Sequence, residues 1–297
     1  IMKQKKIGFI GVGIMGKSMV RNLMKAGFEL HIYARTKSKV EDVIGEGAQF
    51  HESIKDCVQD CDAVITIVGF PQDVEEVYFD EGNILDSAKE GAYLIDMTTT
   101  SPQIAEKIYA EGTKRGFHVM DAPVTGGDTG AKAGTLSILV GGEKEDYEAC
   151  MPLFEAMGTN INYQGKAGCG QHCKLANQIM IAGTLSGVCE ALTYAKEQGL
   201  DPEVFMKSVA TGAAGSKQLD TFGPKILKDD YAPGFFMKHF IKDMKLALIE
   251  ANRKGLSLDV LSMVLANYEE LEQEGYGDLG TQALMKFYDE EHRNTEE

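Results

Sequence analysis

The chain has 297 residues, of which 43% are hydrophobic and 25% charged, and its formal net charge at pH 7 is −15. This composition is typical of a folded globular protein with room for one large or two ordinary domains. The negative charge argues against nucleic acid or an anionic membrane as a partner. No apolar run reaches the roughly 20 residues of a membrane span and no signal-peptide pattern is found, so we expect no membrane partner and a cytoplasmic location.

Six cysteines are scattered along the chain, and no Cys-x-x-Cys occurs. Cys57 and Cys61, and again Cys169 and Cys173, are four residues apart, which is helical spacing. Since no histidine stands at a matching interval, no metal site is expected. The cysteines are interpreted as free thiols in a reducing compartment.

Strands and helices alternate through the first half of the chain. Apolar runs predict buried strands at 7–10, 30–33, 63–68, 93–97, 118–121, 136–140 and 160–163. Helical segments lie between them, and this alternation is typical of a parallel, doubly wound sheet.

From residue 165 onward the pattern changes. Residues 167–197 are helix-compatible and contain no proline, which predicts a helix of about 45 Å. Further helical segments are predicted at 202–211, 216–222, 236–253, 258–274 and 281–290, and the polar tail 290–297 is expected to fray. The fold class predicted is an α/β Rossmann-type doubly wound N-terminal domain, residues 1–165, followed by an all-α C-terminal domain, residues 166–297, joined by a long helix.

A Gly-x-Gly-x-x-Gly turn directly follows the first strand. Gly11 allows a tight turn, Gly13 lets a pyrophosphate approach the backbone, and Gly16 lets the next helix pack against its strand. The amides at the start of the helix 14–25 face the phosphates, together with the positive end of the helix dipole. The turn therefore predicts a dinucleotide site, which also includes the residues between the glycines, Val12, Ile14 and Met15.

The tip of the second strand indicates which dinucleotide is preferred. An enzyme that selects NAD usually has Asp or Glu there, to bind the ribose 2′-hydroxyl. This chain has Arg35, followed by Thr36 and Lys39. A guanidinium binds a 2′-phosphate with two hydrogen bonds, so NADP(H) is the preferred cofactor, and NAD(H) remains possible.

Two further stretches carry polar groups suited to chemistry. In the first, Thr125, Gly126 and Gly127 follow a strand and expose a hydroxyl and backbone N–H groups, which suit a carboxylate; a plain glycine turn is the alternative. In the second, Lys174 begins a long apolar helix, and a partly desolvated lysine beside a cationic nicotinamide suits acid–base work. A surface lysine is the alternative there.

Three more residues accompany Lys174. Asn177 and Gln178 lie three and four residues after the lysine and so share its helix face. His172 is a candidate for a supporting role beside it. A third stretch, 235–243, crowds aromatic residues before Lys242 and Asp243 at the start of another helix, which is equally typical of a core with a local ion pair.

Taken together, these residues resemble the β-hydroxyacid dehydrogenase family, which includes 3-hydroxyisobutyrate dehydrogenase, tartronate semialdehyde reductase and glyoxylate/succinic semialdehyde reductases. The glycine turn resembles the family's Gly-x-Gly-x-Met-Gly, and the stretch 96–99 its Asp-x-Ser-Thr. The stretch 121–127 resembles Asp-Ala-Pro-Val-Ser-Gly-Gly, with Thr125 in place of serine. The stretch 168–178 resembles the catalytic helix, and the resemblance covers nearly the whole chain.

The resemblance implies reversible hydride transfer between NADP(H) and a small β-hydroxyacid or its semialdehyde, with Lys174 as general acid and base. It implies a carboxylate-bearing substrate held by Thr125, Gly126, Gly127 and an amide of Asn177 or Gln178, with specificity set around Phe236 and Phe240. Cofactor contacts are implied for Val68, Thr99 and Lys242. The family forms homodimers and homotetramers, and the long helix is a candidate interface.

Two departures from the family pattern leave roles open. Many members have asparagine four residues after the lysine, where this chain has Gln178, with Asn177 one position before. The stretch 68–71 also departs from the usual Leu-Pro-Asp loop beside the cofactor. Three alternatives are considered: a 6-phosphogluconate dehydrogenase-like enzyme, although the second half has only Arg253 and Arg293 to bind a phosphate; an imine-reducing enzyme; and a non-catalytic NADP-binding scaffold.

Overall fold

The computed structural model describes residues 6–289 and residue 292. The chain divides into two compact units, Ile1–Lys174 and Leu175–Glu297. The first unit ends at Lys174, beyond residue 165, and includes the start of the long helix. The predicted domain boundary at 165 stays a prediction. The tail 290–297, which was expected to fray, lies outside the described residues apart from His292.

The described part of the first unit is built on a nine-stranded sheet. In chain order its strands are β1 (Lys6–Ile10), β2 (Glu29–Tyr33), β3 (Gln49–Phe50), β4 (Ala63–Thr66), β5 (Tyr93–Asp96), β6 (His118–Asp121), β7 (Val124–Thr125), β8 (Leu136–Gly141) and β9 (Gly158–Gly165). They lie in the order β3-β2-β1-β4-β5-β6-β8-β7, and β9 pairs with β8. Strands β1 to β6 are parallel, which is the predicted doubly wound arrangement.

The far end of the sheet departs from the expected parallel pairing. Strand β8 runs antiparallel to both β6 and β7, and β9 is parallel to β8. The connection from β7 to β8, residues 126–135, is shorter than the dozen or more residues that a parallel crossover needs, which explains the reversal. Strands β3 and β7 were not predicted, because two residues are too few to show an alternating pattern.

Helices cover both faces of this sheet. They are α1 (Ile14–Lys25), α2 (Glu41–Gly45), α3 (Ile54–Val58), α4 (Pro71–Phe79), α5 (Ile84–Ser87), α6 (Pro102–Lys114), α7 (Gly127–Ala133), α8 (Lys144–Ala149) and α9 (Met151–Met157). Neighbouring residues of a strand belong to different cores: in β4, Ile65 packs in one cluster and Val64 in the other, and both are fully buried. Burial on both faces explains why the central strands are continuous apolar runs.

The described part of the second unit is helical, as predicted. The long helix α10 (Cys169–Glu197) begins in the first unit and continues into the second. It is followed by α11 (Pro202–Val209), α12 (Lys217–Leu227), α13 (Met237–Arg253) and α14 (Asp259–Leu271), then by a 3₁₀ helix, Thr281–Tyr288. The predicted fold class, a Rossmann-type domain followed by an all-α domain and joined by a long helix, is confirmed.

Helix α10 is the one helix among the described residues that is long and apolar enough to cross a membrane, by length and composition alone. Within the second unit its residues Ala182, Leu185, Cys189 and Leu192 are buried in the hydrophobic core. Core helices and membrane helices share this composition, and 39% of the apolar window is buried inside the structure.

Candidate active site

The carboxyl ends of five neighbouring parallel strands bring the predicted cofactor residues to one edge of the sheet. Arg35 follows β2, Gly11 follows β1, Val68 follows β4, Thr99 follows β5, and Asp121 ends β6. Since these strands lie in the order β2-β1-β4-β5-β6, the residues are spread along the edge in that order. Ligands of open α/β sheets bind at this edge, where the strand order reverses next to β1.

The glycine turn has the geometry that its sequence predicted. Gly11 has φ +96, and a Cβ there would lie 1.9 Å from the carbonyl oxygen of Ile67. A Cβ on Gly16 would lie 2.2 Å from the carbonyl oxygen of Gly11, so the start of α1 packs directly on the turn. A Cβ on Gly13 would meet nothing within 4 Å, which leaves the backbone open to a ligand. The first amides of α1 have no partner within the helix, so the turn fits a pyrophosphate.

The tip of β2 holds two acidic partners that sequence reasoning missed. Nη2 of Arg35 lies 3.4 Å from Oδ1 of Asp73 and 3.4 Å from Oε2 of Glu76, both on α4. The Arg35 side chain is 69% exposed, and Thr36 and Lys39 beside it are exposed as well. The guanidinium is therefore accessible to a ligand, but two carboxylates compete for it.

The loop after β5 is tightly bonded to its neighbours. Thr98 accepts a hydrogen bond on Oγ1 from the backbone N–H of Val68 at 2.9 Å, which joins the loop to the end of β4. Asp96 accepts hydrogen bonds on Oδ1 from the hydroxyl of Thr66 at 2.9 Å and from the backbone N–H of Thr98 at 3.2 Å. Burial raises the pKa of Asp96 to about 6. Thr99 itself is half-buried.

The loop after β6 is where the sequence predicts a nest for a carboxylate. Gly126 and Gly127 have φ angles of 129° and 65°, which favour glycine, and both residues are exposed. Thr125 beside them is half-buried. Successive N–H groups in such a turn form a concave surface that suits an anion.

Asp121, at the end of β6, bonds to the start of helix α10. Its Oδ1 accepts a hydrogen bond from the backbone N–H of Gly168 at 2.8 Å, and its Oδ2 accepts one from the N–H of Gln171 at 2.9 Å. Burial raises the pKa of the Asp121 carboxyl, and these N–H groups oppose the rise. Asp121 therefore caps the start of α10 from a neighbouring strand, which no local pattern could have indicated.

Lys174 lies in the second turn of α10 and is buried, with 8% of its surface exposed. A buried lysine is uncommon and argues against the surface alternative for this residue. His172 is exposed, which argues against the supporting role considered for it.

In the second unit, the two amides that follow Lys174 along α10 differ in their partners. Gln178 donates a hydrogen bond from Nε2 to Oδ2 of Asp243 at 2.9 Å, and both residues are buried. Lys242 forms an ion pair with the same carboxylate, Nζ to Oδ1 at 2.9 Å. Asn177 is half-buried, and its Oδ1 has no hydrogen-bond partner among the described residues.

The aromatic stretch before Lys242 contains two kinds of residue. Phe240 is fully buried and packs edge-on against Tyr268, with ring centroids 5.4 Å apart, so it belongs to the core of the second unit. Phe236 is half-buried at the start of α13, with Nζ of Lys238 5.2 Å from the centre of its ring. Of the two, Phe236 is the one with surface available to a ligand.

The second unit also brings together Glu270, Glu274 and His292, whose potential ligand atoms lie within 4.8 Å of one another. The ring nitrogens of His292 lie 3.3 Å from Glu270 Oε1 and 3.1 Å from Glu274 Oε1. In this arrangement a histidine ring lies between two carboxylates, and exposed acidic groups commonly occur without a metal. All six cysteines are free, as expected.

The strand order and the glycine turn define the chain as a dinucleotide-binding α/β protein. A model described as the NAD binding domain of 6-phosphogluconate dehydrogenase matches residues 6–165, and one described as NAD-binding of NADP-dependent 3-hydroxyisobutyrate dehydrogenase matches residues 168–288. The chain thus belongs to the 3-hydroxyisobutyrate dehydrogenase-like family of NAD(P)-dependent hydroxyacid dehydrogenases.

Curated relatives match nearly the whole chain. The oxidoreductase YkwC of Bacillus subtilis (strain 168) is 50% identical over 96% of this chain and 99% of its own length. A probable mitochondrial 3-hydroxyisobutyrate dehydrogenase-like protein 1 of Arabidopsis thaliana is 45% identical, over 94% and 84%. The 2-hydroxy-3-oxopropionate reductase of Escherichia coli (strain K12) is 37% identical, over 85% and 86%. The resemblance noted in the sequence is confirmed, and the protein is an oxidoreductase of this family.

Solved structures agree on the fold. The Mycobacterium tuberculosis 3-hydroxyisobutyrate dehydrogenase determined with L-serine has a TM-score of 0.88 at 27% identity, covering 96% of this chain and 99% of that chain. An imine reductase from Pseudomonas sp. has a TM-score of 0.63 at 16% identity, covering 96% and 99%. At that identity, the second likeness concerns the fold alone.

Proposed function

We propose that the protein transfers a hydride between NADP(H) and a small β-hydroxyacid or its semialdehyde, with Lys174 as general acid and base. The single observation that carries this proposal is a buried lysine in the second turn of α10, in a chain that belongs to a hydroxyacid dehydrogenase family. The burial argues against the alternative of a surface lysine. The presence of the lysine argues against a non-catalytic scaffold.

The cofactor is held along the edge of the first unit. We assign the pyrophosphate to the glycine turn, from Gly11 through Val12, Gly13, Ile14 and Met15 to Gly16. Ile14 is 73% exposed, an unusual position for a large apolar side chain unless a ligand covers it. Val68 and Thr99 lie farther along the same edge and are assigned to the nicotinamide half.

The preference for NADP(H) rests on the accessible guanidinium of Arg35, with Thr36 and Lys39 completing a 2′-phosphate pocket. Asp73 and Glu76 reduce this preference, because their carboxylates pair with the guanidinium of Arg35 and repel a phosphate. NAD(H) is therefore expected to serve as a weaker alternative cofactor rather than to be excluded.

The bound nicotinamide supplies or accepts the hydride at the substrate carbon. The ammonium of Lys174 donates a proton to the carbonyl oxygen in the reductive direction and takes it back in the oxidative direction. Burial of Lys174 keeps bulk water away from this proton.

For the substrate carboxylate, we propose the nest of Thr125, Gly126 and Gly127 together with Asn177 rather than Gln178. The amide nitrogen of Gln178 already donates to Asp243, whereas the buried carboxamide oxygen of Asn177 lacks a partner among the described residues. Lys242, paired with Asp243, is proposed to face the cofactor, and Phe236 to contact the substrate.

The names of relatives suggest the class of substrate. They include 3-hydroxyisobutyrate dehydrogenase, 2-hydroxy-3-oxopropionate reductase, glyoxylate/succinic semialdehyde reductase and an NAD-dependent L-serine dehydrogenase. The substrates in these names are short carboxylates that carry a hydroxyl or an aldehyde. We propose a panel of such C2 to C5 hydroxyacids and semialdehydes, assayed with both nicotinamides, to find the substrate.

The role of the lysine is tested with Lys174→Ala. We expect turnover to fall by about 10²-fold or more while NADPH affinity is retained, because only the proton transfer is lost. Lys166→Ala, an exposed lysine just before α10, is the matched control and should keep full turnover. Undiminished turnover in Lys174→Ala, with the best substrate of the panel, contradicts the proposal.

Assembly and location are proposed from the sequence and the family. We propose a homodimer or homotetramer in the cytoplasm, with no nucleic-acid or membrane partner. Light scattering coupled to size-exclusion chromatography gives the mass of the assembly directly.

A further inference from the structure

Gln171 makes a two-point attachment between α10 and the loop after β5. Its side chain is completely buried. Its Oε1 accepts a hydrogen bond from the backbone N–H of Thr100 at 3.0 Å, and its Nε2 donates one to the carbonyl oxygen of Thr98 at 2.7 Å. The amide thus pairs with the loop much as a neighbouring strand would pair with it.

The same turn of α10 is attached to the end of β6 by Asp121, which accepts hydrogen bonds from the N–H groups of Gly168 and Gln171. It also packs on β8, since a Cβ on Gly170 would lie 2.4 Å from the carbonyl oxygen of Leu139. The start of the helix is therefore fixed against three adjacent strands.

Lys174 follows Gln171 by three residues, so both side chains project from the same face of α10, about 4.5 Å apart along the axis. Any movement of the first turn moves the lysine with it. The loop held by Gln171 contains Thr99, which is assigned above to the nicotinamide half of the cofactor. One side chain thus joins the segment that carries the proton donor to the segment assigned to the hydride donor.

We propose that Gln171 is a positioning residue that sets the distance between the amino group of Lys174 and the Thr98–Thr100 loop. This inference rests on the proposed role of Lys174. Turnover depends on this distance, because misplacing reacting groups by about 1 Å costs up to about 10²-fold in rate.

The pairing demands one donor and one acceptor, and this requirement gives a sharp test. A protonated carboxyl group offers both, whereas an ionised one only accepts and faces the carbonyl oxygen of Thr98. Gln171→Glu should therefore position the lysine at low pH and fail to do so at high pH. Gln171→Leu, which offers neither a donor nor an acceptor, should fail at every pH.

Gln282 supplies the matched control. It is also completely buried, and its Nε2 donates to the carbonyl oxygens of Asp230 and Ala232, both at 3.0 Å, within the second unit. Gln282→Leu and Gln282→Glu repeat the same chemical changes at a buried amide that lies outside the proposed machinery.

The experiment measures kcat, KM and NADPH affinity for all four variants from pH 5 to pH 8, each relative to wild type. The thermal midpoint without cofactor is measured in parallel. We expect Gln171→Leu to lower kcat about 10- to 100-fold, with NADPH affinity changed only about 3-fold or less. In Gln171→Glu, relative kcat should fall as pH rises.

The thermal midpoint checks the hydrogen bonds independently of turnover. A buried carboxyl has a folded-state pKa above its unfolded value, so the native state holds the proton more tightly. The relative midpoint of Gln171→Glu should therefore fall as pH rises from 5 to 8. Gln282→Glu should show the same fall in the midpoint, but no fall in relative kcat.

The outcomes separate this inference from the function on which it rests. If Lys174→Ala keeps turnover, the proposed function fails, whatever Gln171 does. If Lys174→Ala is inactive and the Gln171 variants keep wild-type kcat at every pH while their midpoints fall, Gln171 is only structural and the inference is overturned.

Discussion

The two ends of the cofactor edge are built in different ways. At the β2 end, Arg35 is 69% exposed and reaches its acidic partners at 3.4 Å. At the β5 and β6 end, Asp96, Asp121 and Gln171 are buried, and their side-chain hydrogen bonds measure 2.7 to 3.2 Å. The exposed end consists of charged side chains open to solvent, and the buried end of hydrogen bonds made largely to the backbone.

This difference separates residues that affect ligand choice from residues that affect geometry and stability. Exposed ion pairs contribute little to stability, so residues at the β2 end are free to determine which ligand binds. Buried polar groups must keep their partners, so residues at the β5 and β6 end determine geometry and stability. Substitutions at the two ends should accordingly change different measurements.

The largest effect is expected from Asp121→Ala. This change leaves the N–H groups of Gly168 and Gln171 without their acceptor in a buried place, at about 1 to 3 kcal/mol each, partly offset because no carboxylate is buried any longer. We expect a net loss of about 3 kcal/mol, which corresponds to roughly 6 to 12 °C in the thermal midpoint. Turnover should fall with it.

Asp201→Ala is the matched control for this change. Asp201 also accepts hydrogen bonds from two N–H groups at a helix start, those of Glu203 and Val204, but it is local and exposed. Its loss should cost about 1 kcal/mol and leave kcat unchanged. Equal losses for the two variants would show that the buried cap is no more important than an exposed one.

Asp96→Asn should change how stability depends on pH. Because the pKa of Asp96 is raised to about 6, the native state holds its proton more tightly than the unfolded chain does. This group therefore lowers stability as pH rises from about 4 to 6, by up to about 3 kcal/mol. The thermal midpoint of Asp96→Asn relative to wild type should accordingly increase over that range. The nearby Asp121 is present in both proteins, so its own titration cancels in this comparison.

Asp86→Asn tests the direction of this pH dependence, because the pKa of Asp86 is shifted the opposite way. The backbone N–H of Gly82 and the guanidinium of Arg115 hold the pKa of Asp86 below its usual value. That group stabilises the native state above the unfolded pKa and loses its effect as pH falls. The relative midpoint of this variant should decrease as pH rises, opposite to Asp96→Asn, and parallel curves would refute the assignment.

At the exposed end, Arg35→Asp should change the choice of cofactor and leave stability nearly unchanged. A 2′-phosphate loses charge-assisted hydrogen bonds and faces a carboxylate, so we expect the Kd for NADPH to rise about 10- to 100-fold. The Kd for NADH should change far less, and equal losses for both cofactors would contradict the assignment of NADP(H).

Lys37→Asp makes the same charge change two residues away. The amino group of Lys37 lies 5.4 Å from the centre of the Phe50 ring. If the guanidinium acts by direct hydrogen bonds, this control should keep the ratio of the two affinities within a few-fold. A similar shift in both variants would assign the preference to the general field of positive charge.

The contrast between the two ends also explains what the sequence could predict. The glycine turn and Arg35 were identified because their roles depend on neighbours within a few residues and on the end of a strand. The partners of Arg35 lie 38 and 41 residues away, and those of Gln171 lie 71 and 73 residues away. No local spacing constrains such pairs, so Asp73, Glu76 and the network of Gln171 required the structure.

The smallest effect, and the one that tests the exposed end most directly, is expected from the double variant Asp73→Asn/Glu76→Gln. Removing both charges frees the guanidinium of Arg35 and removes repulsion of the 2′-phosphate. Because exposed ion pairs contribute up to about 1 kcal/mol, we expect the Kd for NADPH to fall about 2- to 5-fold, with little change for NADH.

Added salt should reduce the difference from wild type, since screening at 0.1 M acts over about 10 Å. A gain that is equal for NADH, or that is insensitive to salt, would mean that the two carboxylates act on the α4 backbone, where Asp73 accepts a hydrogen bond from the N–H of Phe70, and not through the cofactor's phosphate.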